Sequence, residues 1–183
     1  MIESRLPDTT YSRRIDALIR GLGGGLGIIW LALIAVIMVN VVCRYFFSEG
    51  FIQLEELQWH LYATGFLLGL SYAVTEDSHV RVDVLRSRWS DETLAWIECY
   101  GLLLLLLPFI LLVLFASMPF VFYAFQTVEV SQSPGGLPLR WVIKMMLPLG
   151  FLLLLLAALS RLSRVLAFLF GSSAPKSEVQ LND

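Results

Sequence analysis

Long uncharged stretches divide the chain into blocks that are long enough to cross a membrane. Residues 21–43, 57–75 and 99–128 contain no Asp, Glu, Lys or Arg, and a fourth apolar run, 139–160, is charged only in its first turns. A helix needs about 20 apolar residues to cross the hydrocarbon core of a bilayer. The pattern therefore predicts an all-α integral membrane protein with four transmembrane helices, near residues 21–43, 55–75, 93–121 and 139–162.

The segments outside these blocks have their own patterns. Before the first span, Ile15, Leu18, Ile19 and Leu22 recur at helical spacing, which predicts that residues 1–20 carry a short interfacial helix continuing into that span. Residues 21–170 then form the four-helix membrane domain. Residues 171–183 are polar, and we expect a disordered cytoplasmic tail there.

Two short segments between the second and third spans are also informative. Ser90 followed by two acidic residues is typical of a helix N-cap, and it predicts the start of the third helix. Residues 79–84 alternate polar and apolar side chains, which fits either a short strand or a segment lying at the membrane surface.

The distribution of positive charge predicts the orientation of the chain. Of its 13 Lys and Arg residues, all but Arg44, Arg140 and Lys144 lie in the N-terminal segment, in the loop between spans two and three, or in the C-terminal tail. Cytoplasmic loops of membrane proteins carry the excess of positive charge. We therefore expect both termini in the cytoplasm, with the first and third connections on the outer face.

Composition supports a membrane protein and gives no sign of nucleic-acid binding. Hydrophobic residues make up 57% of the chain and charged residues 15%, with a net charge of -2, whereas soluble domains average roughly 45–50% and about 25%. The two cysteines, Cys43 and Cys99, have no metal-binding spacing and are predicted near opposite ends of their helices. We expect both to be free thiols.

Charged residues near the membrane are candidates for function. Arg44 ends the first span, and Glu55 and Glu56 begin the second, so Arg44 can pair with either carboxylate. Such a group either ties two helices together or contacts a partner protein. Glu98 is the acid within the body of a span; it can be protonated, paired with a loop arginine such as Arg86, or part of a transport path.

The sequence contains no recognisable catalytic set, and we predict no enzymatic activity and no cofactor. It shows no Ser-His-Asp arrangement, metal-ligand cluster or phosphate-binding glycine loop. His60 and His79 are 19 residues apart, or roughly 28 Å along a helix, so they cannot ligate one haem. The alternatives considered are the membrane anchor of a redox complex, an intramembrane enzyme and a small channel.

Six short segments follow one another in a characteristic order and spacing: Arg44-Tyr45-Phe46, Leu54-Glu55-Glu56-Leu57-Gln58-Trp59, Gly65 to Gly69, His79-Val80-Arg81-Val82-Asp83, Ser131 to Pro138, and Leu147-Pro148-Leu149-Gly150. With them the chain resembles the small permease subunit of tripartite ATP-independent periplasmic (TRAP) transporters, over about residues 11–164. One departure is visible, since many members have tryptophan just before the paired glutamates and this chain has Gln53-Leu54 there.

The resemblance implies a function in transport. The chain would sit in the bacterial inner membrane and scaffold a large polytopic permease subunit that holds the sodium and substrate sites. It would also help form the surface on which a periplasmic binding protein delivers an organic acid. The segment 54–84 looks closest to the branch associated with 2-oxo acids, mannitol or chloroaromatic acids. The candidate interface residues are Arg44, Glu55, Glu56, Trp59, His79, Arg81, Asp83, Pro138, Arg140 and Lys144.

Overall fold

The computed structural model describes residues 6–78 and 89–171, and the regular structure within these ranges is entirely helical. The helices are α1 (Thr10–Phe46), α2 (Ile52–Thr75), α3 (Asp91–Gln126) and α4 (Arg140–Phe170). The prediction of a short strand or surface segment at 79–84 lies outside the described residues. The same holds for nearly all of the predicted disordered tail, from residue 172 onward.

Three of the four helices are long and apolar enough to cross a membrane. These are α1, α3 and α4, with 37, 36 and 31 residues. α2, with 24 residues, begins beside two glutamates and carries Gln58 and His60 in its first half. Its polar first half explains why α2 falls outside this set, and its crossing of the membrane stays a prediction.

α4 is the central helix of the bundle and packs against the other three. Small residues on α4 allow this close approach: Ala157 and Ala158 are buried, and so is Gly150. A Cβ atom at Gly150 would lie only 2.8 Å from the Cβ of Leu67 and 3.0 Å from its carbonyl oxygen. Glycine at this position therefore lets the α2 and α4 backbones meet, as small residues commonly do between membrane helices.

α3 contains a π-helical segment, Gly101–Leu106, between two α-helical parts, Asp91–Tyr100 and Leu107–Gln126. Pro108 is the second residue after this segment. Proline has no N–H, and its ring clashes with the carbonyl four residues earlier. In the wider π turn the Leu107 N–H bonds to the Leu102 carbonyl, five residues earlier, instead of to the carbonyl four residues earlier as in an α-helix. The carbonyls before Pro108 are therefore positioned differently from those of a regular α-helix. The predicted N-cap of this helix is confirmed, since the Ser90 side chain accepts from the Thr93 N–H.

The predicted helix before the first span is present and continues into that span, but its buried face differs from the predicted apolar face. α1 runs unbroken from Thr10, where Thr9 and Ser12 form a reciprocal capping box. Its buried face is Ser12, Asp16 and Ile19, whereas Leu18 on the predicted apolar face is exposed. Asp16 is buried because it contacts Ser160 and Arg164 of α4, whereas Ser12 is hydrogen-bonded to Thr9 in the N-cap. Simple hydrophobic periodicity could not identify these polar members of the buried face.

The outer faces of α1 and α3 are strongly apolar and lie outside the core. Phe115 is 86% exposed, Leu105 73% and Leu31 68%. Large apolar patches on an isolated protein mark contact with lipid or with another protein. The bundle therefore presents two apolar walls, the exposed outer faces of α1 and α3, which lipid or another protein must cover.

Candidate functional site

Two connections meet at one end of the bundle, which we call the loop end: residues 47–51 between α1 and α2, and residues 127–139 between α3 and α4. At this end the Arg44 guanidinium donates to Glu55 Oε1 at 3.0 Å. The predicted pairing of Arg44 with one of the two glutamates is present, and Glu55 is the partner. The two side chains are 57% and 49% exposed, so the pair lies at the surface of this end.

Glu56 turns instead to the α3–α4 connection. One carboxylate oxygen accepts from the Ser131 hydroxyl, and the other accepts from the Leu137 backbone N–H at 2.5 Å. Gln53, one turn earlier on α2, donates to the Gly135 carbonyl. The connection also closes on itself, because the Ser131 N–H bonds to the Leu137 carbonyl at 3.3 Å. The first turns of α2 thus hold a defined conformation of residues 131–137.

A second set of contacts fixes the ends of the same connection. Glu129 pairs with Lys144, and its carboxylate lies 4.0 Å from the Arg140 Nε. The Lys144 ammonium also sits 4.1 Å from the centre of the Phe120 ring, a cation–π geometry. Arg140 and Lys144 were predicted as interface candidates, whereas Glu129 was missed. Glu129 could have been identified from its position in the sequence, because it follows α3 and precedes Arg140 and Lys144, the two cations at the start of α4.

The α3–α4 connection is strained at both ends. Val128 and Leu139 adopt positive φ values of 47° and 62°, a region that β-branched and bulky side chains avoid. Such residues cost of order 1–3 kcal/mol each and persist where surrounding contacts determine the conformation, often at functional sites. The anchors from Glu56 and Glu129 supply those contacts here.

A cleft of about 460 Å³ opens between the first turns of α2 and α4. Glu55, Glu56 and Arg140 line it together with apolar side chains, and Trp59, also in its lining, is 71% exposed. A neighbouring cleft of about 390 Å³ shares His60 and includes Pro138. Within the described residues, no group of three His, Cys, Asp or Glu side chains could hold a metal ion.

The structure brings most of the predicted interface residues together at the loop end. The remaining three candidates, His79, Arg81 and Asp83, lie outside the described residues. Those gathered at the loop end are Arg44, Glu55, Glu56, Trp59, Pro138, Arg140 and Lys144.

The opposite end, which we call the terminal end, contains a more buried charge network. Arg161, only 5% exposed, donates to Glu98 at 2.5 Å and lies 3.5 Å from Asp77. Asp16 accepts from Ser160 at 2.7 Å and pairs with Arg164. From the sequence, both arginines were counted with the positive charges of the cytoplasmic tail, and Arg86 was offered as a partner for Glu98. Instead, α4 continues to Phe170 and its own arginine pairs with Glu98.

A comparison with protein-family models matches residues 33–168 to the family described as tripartite ATP-independent periplasmic transporters, DctQ component. No curated protein and no solved structure matches the chain. The matched range covers the later part of α1, all of α2 and α3, and nearly all of α4. A redox anchor, the alternative considered from the sequence, gains no support from this match.

Proposed function

Because this chain belongs to the DctQ family, the small membrane permease component of TRAP transporters, we propose that it scaffolds the large permease subunit and forms part of the docking face for the periplasmic binding protein. The transporter imports an organic acid with the sodium gradient. The sodium and substrate sites belong to the large subunit, and this chain has no cofactor of its own.

The observation that carries the docking proposal is the construction of the loop end. An exposed ion pair on α1 and α2 lies beside a connection that Glu56, Gln53 and Glu129 hold in one strained conformation. Backbone strain that several side-chain contacts maintain is common at functional sites, and it supports a role for the shape of this surface in binding a partner. A preformed surface also loses less conformational entropy when a partner binds.

The proposed placement in the inner membrane follows from this role. The loop end faces the periplasm, where the binding protein is, and the terminal end faces the cytoplasm. All four helices cross the bilayer, and both termini are cytoplasmic. The excess of Lys and Arg outside the loop-end segments supports this orientation. The two apolar outer walls, on α1 and α3, are available for the large subunit and for lipid.

Charge reversal at the exposed pair tests the docking role. An exposed ion pair contributes about 0–1 kcal/mol to stability, so Arg44→Glu or Glu55→Arg should leave the fold and the assembly with the large subunit intact. We expect each reversal to weaken binding of the cognate binding protein to the purified membrane complex, and to slow uptake of the organic acid which that protein carries.

The double swap, Arg44→Glu with Glu55→Arg, distinguishes a role of this ion pair in docking from a purely structural role in linking α1 to α2. It restores an ion pair in the opposite direction, so a purely structural role predicts normal uptake. Docking on this surface predicts that the swap stays impaired. A matched control reverses the exposed Arg20–Glu76 pair, which is 2.7 Å apart at the terminal end. Normal binding and uptake in both single reversals would refute the proposal.

A further inference from the structure

The cleft between α2 and α4 has its carboxylates and its guanidinium near the loop end. Both helices begin at that end, so residue order along each helix follows distance from it. On α2, Glu55 and Glu56 come first, His60 follows, and Tyr62 and Ala63 lie deepest; on α4, Arg140 comes before Ile143. Charged groups at the mouth above a mainly apolar interior match the boundary between lipid headgroups and acyl chains.

The charged side chains at the mouth retain hydrogen-bonding capacity. An ionised carboxylate has about four acceptor positions, and the Arg44 guanidinium donates to only one oxygen of Glu55. The Arg140 Nε lies 4.0 Å from Glu129, too far for a hydrogen bond, and a guanidinium has about five N–H donors in total. The cleft therefore offers acceptors for a cation and donors for an anion.

We propose that this cleft binds the headgroup of a zwitterionic aminophospholipid, of the phosphatidylethanolamine class. The primary ammonium lies at Glu55 and Glu56, the phosphate lies at Arg140, and the start of an acyl chain lies along Tyr62, Ala63 and Ile143. The exposed Trp59 ring borders the same cleft, where an indole can sit at headgroup level. The inference goes beyond docking and transport, since it needs only that this end lies at a membrane surface.

The chemistry of the lining distinguishes this headgroup from others. A choline headgroup has the same charges but no N–H donors for the carboxylates. A glycerol headgroup has a phosphate for Arg140 but no cation, so its negative charge would face Glu55 and Glu56 without compensation. A second copy of the chain is the competing occupant, and the experiment below detects it.

The first test needs only the wild-type protein. The full-length chain is purified in its membrane complex, stripped of lipid in mild detergent and titrated with phosphatidylethanolamine, its mono- and dimethyl derivatives and phosphatidylcholine, all with the same acyl chains. Native mass spectrometry then counts lipids on the released chain. Because a charge-assisted hydrogen bond is worth about 1.5–3 kcal/mol, we expect affinity to fall stepwise with methylation, by about tenfold or more across the series.

Two variants test separately the site of the ammonium and the site of the phosphate. Glu55→Gln should remove the preference for phosphatidylethanolamine over phosphatidylcholine, because the ammonium loses a charged acceptor. Arg140→Gln should weaken both lipids about equally, by about tenfold, because they share the phosphate. The matched controls, Arg20→Gln and Glu76→Gln at the terminal end, should bind both lipids as the wild type does.

Equal affinity across the methylation series overturns the proposal, whether or not the variants fold. So does unchanged lipid binding in folded Glu55→Gln and Arg140→Gln proteins. A concentration-dependent dimer of the chain that excludes lipid, and that Arg140→Gln dissociates, assigns the cleft to a second copy and also overturns it.

Discussion

At the scale of single residues, Glu56 and Gly136 show how the loop end obtains its shape. Glu56 accepts from Ser131 and from the Leu137 N–H, and this leaves little space beneath the connection. A Cβ atom at Gly136 would lie 2.5 Å from the Ser131 Cβ and 2.8 Å from the Glu56 Oε1. Glycine is needed here for space, because both neighbours are themselves held by hydrogen bonds.

Gly136→Ala tests this packing. The added methyl group must displace Ser131 or Glu56, and overpacking of this kind costs typically 1–3 kcal/mol. We expect a lower midpoint of thermal unfolding in detergent and weaker binding of the binding protein. Gly24→Ala is the control, since a Cβ atom there meets no atom within 4 Å. Equal midpoints and equal binding for the two variants would show that the connection adapts freely.

Arg161→Gln tests the buried network at the terminal end. Removing one partner of a buried ion pair typically costs 3–5 kcal/mol, because the other charge stays buried without compensation. Arg161 is 5% exposed and faces Glu98 and Asp77. Arg20→Gln removes an ion pair that is 57% exposed on the arginine side and should cost at most about 1 kcal/mol. Thermal unfolding of both variants in the same detergent gives the comparison, and similar losses would contradict the assignment.

Some of these contacts could be predicted from sequence and others could not. Arg44 and Glu55 lie on either side of a short connection between helices, so their pairing follows from the order of the chain. The pairs Asp16–Arg164 and Glu98–Arg161 join positions 148 and 63 residues apart. Finding them requires knowing that α4 is central and which side of it meets α1 and α3, and neither fact is visible in local hydrophobicity.

At the scale of helices, α4 organises the bundle because it contacts each of its neighbours. Gly150 packs against α2, Ala158 lies in a core cluster with residues of α2 and α3, and the arginines near the terminal end reach acids from α1, α3 and the residues after α2. The four apolar runs of the sequence correctly predicted the positions of the helices, since each predicted span overlaps one observed helix. The π segment in α3 depends on local backbone geometry that the runs do not encode.

Gly150→Ala tests the contact between α2 and α4. Its Cβ atom would approach the Leu67 Cβ and the Leu67 carbonyl oxygen to 2.8 and 3.0 Å, and a backbone atom cannot turn aside as a side chain can. We expect a loss of about 1–3 kcal/mol in the free energy of unfolding. This loss should appear as a lower midpoint of thermal unfolding. Gly69→Ala on α2, where a Cβ atom meets nothing within 4 Å, should be neutral or stabilising. A loss for Gly69→Ala as large as that for Gly150→Ala would argue against close packing at Gly150.

At the scale of the whole molecule, the exposed walls of α1 and α3 bear on whether the chain is stable without the other transporter components. Phe115, Leu105 and Leu31 are more than two-thirds exposed, and these walls must be covered by lipid or by protein. We expect the chain to be unstable when it is produced without its partner. A monodisperse, heat-stable preparation of the isolated chain would contradict this expectation.

Purification from native membranes tests most directly whether this chain scaffolds the large subunit of a TRAP transporter. The tagged chain is extracted in mild detergent, and the proteins that accompany it are identified and quantified by mass spectrometry. We expect stoichiometric recovery of one large polytopic permease subunit. Recovery of the chain alone, or together with a soluble dehydrogenase, would contradict it.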